Sequence, residues 1–76
     1  MVATAGRIVS PMPAIVAEIL VKVGDTVKAG QELLILECMK VQRPIVSSTP
    51  GIVQAIKVEL GQAVESGTTL LELTPA

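Results

Sequence analysis

The sequence predicts an all-β domain in which two small sheets pack face to face about a pseudo-twofold axis, and three observations carry that prediction. The first is an internal repeat. Slid along itself by 37 residues, the chain matches without a gap: Ile8-Val9-Ser10 falls on Ile45-Val46-Ser47, Pro13 on Pro50, and Ile15-Val16 on Ile52-Val53. Further on, Ile19, Val21, Gly24, Val27, Gly30, Leu33-Leu34 and Leu36 fall on Ile56, Val58, Gly61, Val64, Gly67, Leu70-Leu71 and Leu73. The second is an apolar period of two, which is that of a half-buried strand. The third is glycine spacing, since Gly24 and Gly30, like Gly61 and Gly67, leave no room for a helix between them. A solenoid needs about three repeats to bury its faces. Two copies, about 8–37 and 45–74, therefore close on each other as a single domain covering 1–76.

Taken in order, the first strands run from Ile8 and then through Ile15, Ala17, Ile19, Val21 and Val23, whose alternation predicts one apolar face. In the second copy Ile52, Ile56, Val58 and Leu60 form the matching face, against Ala55, Lys57 and Glu59. Leu33-Leu34 and Leu36 close the first copy, and Leu70-Leu71 and Leu73 the second. The core is Ile, Val and Leu with no aromatic ring, which suits two thin sheets in contact. Truncating Ile19 or Ile56 to Ala is expected to cost roughly 2 to 4 kcal/mol. Pro44 cannot donate to a ladder, so it marks an edge or an unbonded position.

Composition narrows the function. At 76 residues the chain is near the lower size at which one hydrophobic core sustains a fold unaided. Its one cysteine, Cys38, allows no internal disulfide, and an unpaired thiol suits a reducing, cytoplasmic setting. Six Lys/Arg against seven Asp/Glu, with no aromatic side chain for base stacking, argue against nucleic acid as a partner. No apolar run approaches the roughly 20 residues of a membrane span, and residues 1–6 lack a signal peptide's apolar stretch, so no membrane insertion is expected. There is no His, and the acidic residues are scattered. Cys/His catalysis, most zinc sites and paired-carboxylate chemistry lack their groups, so the chain reads as non-catalytic.

The junction between the copies, from Glu37 to Pro44, breaks the pattern. Gly, Asn, Asp and Pro are absent from Gln31 through Arg43, although a short reversal normally draws on them. A tight turn on Met39-Lys40 puts non-glycine residues at disfavoured backbone angles, at a cost of about 1 kcal/mol each. A local rule broken in an otherwise regular sequence marks a functional site. Lys40 has no symmetry mate within the body, because the offset carries it past the last residue in one direction and onto Ala3 in the other. The pseudo-twofold axis predicts that this turn lies at the opposite end from the paired termini. By periodicity alone, a solvated lysine at a hairpin tip accounts for it equally well.

The residues Glu37 to Val41, ECMKV, resemble the biotin attachment motif E-A-M-K-M. SPMPAIV (Ser10 to Val16) resembles that family's P-M-P-G lead-in, and Val21 to Glu37 is similar to its body segment. The resemblance to the biotinyl/lipoyl attachment domains implies a flattened β-barrel, or barrel-sandwich hybrid, of two four-stranded antiparallel sheets. It implies that Lys40, on a hairpin tip, carries biotin through an amide to the valerate chain. Glu37, Cys38, Met39 and Val41 would be flanking recognition residues. The implied partners are a biotin protein ligase and the biotin carboxylase and carboxyltransferase subunits between which a carboxyl carrier moves. The sequence departs from the pattern at Val41, where the family usually has a second Met, at Cys38, usually a small Ala or Ser, and at Ala14, where the second copy keeps Gly51. The gapless repeat leaves no room for the "thumb" insertion of some bacterial carriers, so the chain resembles the thumbless ones. Met39 favours biotin over lipoate, since lipoyl domains typically place Asp before the lysine. A lipoyl carrier and an unmodified docking module of the same fold are the alternative readings.

Overall fold

The computed structural model describes residues 6–75; the unpatterned start, with the leader expectation placed on it, and Ala76 lie outside the described residues. Eight strands follow one another: β1 (Gly6–Val9), β2 (Ala14–Ile19), β3 (Thr26–Val27), β4 (Glu32–Cys38), β5 (Val41–Val46), β6 (Gly51–Ile56), β7 (Ala63–Val64) and β8 (Thr69–Thr74). They form two four-stranded antiparallel sheets, ordered β1-β8-β6-β3 and β5-β4-β2-β7. The expected all-β architecture of two such sheets is therefore present. The offset of 37 maps β1 to β4 onto β5 to β8 and one sheet onto the other. Each sheet takes two strands from each copy, so neither half can close a sheet without its partner.

The expected apolar faces need correction. Val16 and Val53 are buried, whereas Ile15 is 50% exposed, Val23 62% and Leu60 68%. The cause is a pair of β-bulges. Pairing slips between Val16 and Glu18 and again between Val53 and Ala55, so Ala17 and its mate Gln54 are extra residues. Each bulge inverts the alternation, bringing Val16 inward before it and Ile19 and Val21 inward after it. A second symmetric pair of slips falls at Leu33 and Leu70. That is how the Leu33-Leu34 and Leu70-Leu71 doublets turn both members into the core, where all four are fully buried. Ile19 and Ile56 are partly buried at its margin.

Four corner turns tie the sheets together with one device. In the segments 22–25, 28–31, 59–62 and 65–68 the fourth residue's N–H donates to the first residue's carbonyl at 3.0 Å. The fourth side chain returns the bond: Asp25 Oδ2, Gln31 Oε1, Gln62 Oε1 and Thr68 Oγ1 each accept from the first residue's N–H at 2.9 to 3.0 Å. The third residue is always glycine with φ between 85° and 96°, the left-handed value such a turn requires there. Two buried serines complete the frame. The Ser10 and Ser47 hydroxyls donate to the carbonyls of Met12 and Thr49, holding the β1–β2 and β5–β6 connections.

Leu34→Ala or Leu71→Ala should each lower stability by roughly 2 to 5 kcal/mol, with a smaller loss for Ile19→Ala and under about 1 kcal/mol for Ile15→Ala. Urea denaturation of the four variants checks this ranking. An Ile15→Ala loss equal to that of Leu34→Ala would contradict the inverted phase.

Candidate functional site

β4 and β5 form a hairpin whose register runs from Ile35↔Pro44 through Leu36↔Arg43 and Glu37↔Gln42 to Cys38↔Val41. Only Met39 and Lys40 remain for the turn. A two-residue reversal that matches strand twist needs φ > 0 at both positions. Met39 has φ 53° and Lys40 φ 64°, and no other non-glycine residue among those described has positive φ. The predicted strain is thus present, and it is confined to the two residues the sequence pointed to. Nothing shields them: Met39 is 91% exposed and Lys40 is exposed as well.

The strand alternation sorts the flanking residues. Leu34 and Leu36 are buried, so Cys38 lies on the same inner face of β4, with Val41, Arg43 and Ile45 opposite on β5. Glu37 and Gln42 pair on the outer face. Glu37 and Cys38 are half-buried, and Val41 is 53% exposed. All five residues singled out in the sequence therefore sit on the hairpin, divided between its faces. Pro44 lies on β5, the edge strand of its sheet, as its missing N–H required. Ala14 opens β2 as Gly51 opens β6, and neither has positive φ, so this substitution leaves the topology intact.

The tip is remote from the ends of the described chain, Gly6 and Pro75. Thr74 pairs with Ile52, and Ile52 with Thr26, at the end of the molecule where short turns lead back to Glu32 and Val46. Those residues are the feet of the β4–β5 hairpin, so its tip stands at the other end of a body 36 Å long. Beside the tip, a groove of about 390 Å³ opens between β5 and the β1–β2 connection. Leu36, Val41, Pro44, Pro11 and Met12 line it, and Arg43 is the one formally charged lining residue. Sequence reasoning passed over Arg43. Its available signal was symmetry, since its mate in the first copy is Gly6.

Lys40 is thus a long primary amine on an exposed turn. The profile of the family described as "Biotin-requiring enzyme" matches residues 2–73. The methylmalonyl-CoA carboxyltransferase 1.3S subunit of Propionibacterium freudenreichii subsp. shermanii is 57% identical over 37 residues, covering 49% of this chain and 30% of the relative. The biotin carboxyl carrier protein of Streptococcus mutans is 50% identical over 36 residues, covering 47% and 28%. Among solved structures, a single-chain, multi-domain long-chain acyl-CoA carboxylase superposes with a TM-score of 0.87 at 27% identity, over 92% of this chain and 7% of that one. The chain thus spans less than a third of the length of either relative.

If the positive φ angles are the strain they represent, Met39→Asn combined with Lys40→Gly should raise unfolding free energy by about 1 kcal/mol, because Asn-Gly adopts this turn at little cost. Thermal unfolding of the double variant tests it, and a lowered midpoint would mean that the hairpin imposes no strain at these positions.

Proposed function

The chain belongs to the biotin/lipoyl attachment-domain family, and from that premise we propose that it is the carrier domain of a biotin-dependent carboxyl-transfer system, with biotin joined to Lys40. The observation that carries this reading is the isolation of Lys40 on a strained, exposed two-residue turn at one end of the body. A turn that costs stability and exposes an amine and a methionine has no use to the core. It suits a site that another enzyme must reach.

In the attachment step the neutral ε-amine attacks the valerate carboxyl carbon, which a biotin protein ligase has activated. The new N–C bond forms as the activating group leaves, and the nitrogen gives up a proton. Glu37, Cys38, Met39 and Val41 are the surfaces such a ligase would meet first: Met39 at the tip, Cys38 and Val41 on the inner face and Glu37 on the outer. Val41 presents less apolar reach than a methionine would. When bound, biotin supplies a ureido nitrogen that accepts a carboxyl group and yields it again. A biotin carboxylase and a carboxyltransferase would load and unload that group, and Lys40 is the residue of this chain that would hold it between them. This chain contributes position: a rigid body holds the tether's root, and tethering raises the local concentration to the order of mM. It is a carrier, and the partner subunits perform the chemistry. The unpaired Cys38 supports a reducing, cytoplasmic setting. The proteins named above are a carboxyltransferase subunit, a biotin carboxyl carrier and an acyl-CoA carboxylase, so a lipoyl role is not favoured.

Co-expression with a biotin ligase, followed by intact mass and peptide mapping, should show a single biotin increment on Lys40. Co-expression with a lipoate ligase should show none. Lys40→Arg should fold as the parent does, with unchanged circular dichroism and melting, and should carry no increment. Biotin found on another lysine of that variant would sink the assignment of Lys40.

A further inference from the structure

The geometry points to a second role for the hairpin: the groove along β5 is a resting site for the head of the arm rooted on Lys40, with Arg43 as its polar anchor. This rests on the carrier reading above and goes beyond it, since a carrier needs only an exposed lysine. The groove is placed for it. Arg43 lies three residues from Lys40 along the strand, about 10 Å at the usual rise. Lysine's four methylenes, the amide and the valerate chain give roughly ten bonds, and at the 3.3 to 3.6 Å that three chain bonds span, the arm reaches about 11 Å. The head therefore arrives beside Arg43 without stretching the turn.

The lining complements the cargo. Biotin's fused rings are apolar at the thioether side and polar at the ureido carbonyl, and the group it ferries is a carboxylate. The groove offers Leu36, Val41, Pro11, Pro44 and Met12 to the first and a guanidinium to the second. A guanidinium only donates, and its fork matches carbonyl and carboxylate oxygens. Register puts Arg43 opposite Leu36 and between Val41 and Ile45 on the inner face of β5, yet β5 is an edge strand and the Arg43 side chain is exposed, free to reach a group lying in the groove. The symmetric place in the other sheet is Gly6, which provides no such anchor. A charge on an edge strand can also serve to discourage edge-to-edge pairing of β5, a role in which it would never touch the arm. Acylation strengthens the distinction, because it removes the Lys40 charge and leaves Arg43 as the cation of the hairpin.

Two of the chain's three methionines, told apart from Met1 by assignment, make the test direct. Met39 flanks the tether's root, and Met12 lines the groove. The chain is labelled with methyl-13C methionine, loaded by biotin ligase, and checked for the Lys40 increment by mass. Absence of the increment would defeat the carrier reading, separately from the groove. In the loaded protein both methyl resonances should move relative to the unloaded protein. In Arg43→Gln the Met39 change should persist while the Met12 change falls at least twofold. Streptavidin capture of the loaded head, followed by stopped flow, should be roughly threefold faster in Arg43→Gln, because a larger fraction of heads is free. A loaded protein whose Met12 methyl does not move, or moves equally in Arg43→Gln, would overturn the resting site and leave Arg43 as an edge guard. An unloaded Arg43→Gln spectrum matching the parent's establishes that the fold is retained.

Discussion

Everything in this molecule depends on the mutual burial of two leucine clusters, Leu33, Leu34 and Leu36 from one copy and Leu70, Leu71 and Leu73 from the other, within one aliphatic core. No aromatic residue contributes. A small domain with such a core depends on its leucines, and straight strands would have left one leucine of each doublet in water. The bulges at Leu33 and Leu70 remove that loss by turning both members inward. Because each sheet is shared between the copies, this burial is possible only when the two halves are together. Folding of one half without the other is thereby disfavoured.

The corner turns follow from the same constraint. Interlocked strands must leave one sheet and enter the other within a few residues, and each crossing abandons backbone groups that the ladders would have paired. The reciprocal bonds of Asp25, Gln31, Gln62 and Thr68 satisfy first-residue amides at four such crossings. Cross-connections such as Gly24 N–H to the Val53 carbonyl at 2.8 Å, and its mate from Gly61 to Val16, fasten the crossings to the sheets. The outcome is a frame stiff enough to hold a turn that is itself unfavourable. Six register pairs between β4 and β5 stand behind Met39 and Lys40.

How much of this was legible in the sequence depended on the length scale of each signal. The repeat at 37 residues exposed the pseudo-twofold architecture, because it is written in some fifteen coincident positions and a single irregularity cannot erase it. The Met-Lys turn was legible for the opposite reason, as the one place where the repeat and the turn chemistry fail together. Face assignment failed between these scales. Ala17 and Gln54 carry no residue type that announces a bulge, yet each reverses the alternation around it, so Ile15 and Leu60 were read inward and lie outward. The third-position glycines were noticed, while the acceptor that follows each one was not, because Asp, Gln and Thr look unrelated until the structure gives them the same bond. The groove was beyond reach of the sequence altogether. It is made by the β1–β2 connection lying alongside β5, a proximity between residues some thirty positions apart that no local pattern encodes.

Duplication explains why the departures from symmetry are informative. Two copies under one fold constraint keep the residues that the core and corners require, and these are the positions that coincide at the offset. Where the copies differ on equivalent sites, the fold has no preference and something else decides. Ala14 against Gly51 is a difference the backbone tolerates in either form, as their equivalent pairings show. Arg43 against Gly6 is of another kind, because one side places a long cation on a face that turns toward apolar neighbours, beside the turn that has no counterpart. The equivalent edge strands β1 and β5 both carry an arginine, Arg7 and Arg43, so an edge guard is present in both sheets. What differs is the face: Arg7 is opposite Glu72, whereas Arg43 is opposite Leu36 on the inner face of the hairpin that carries Lys40.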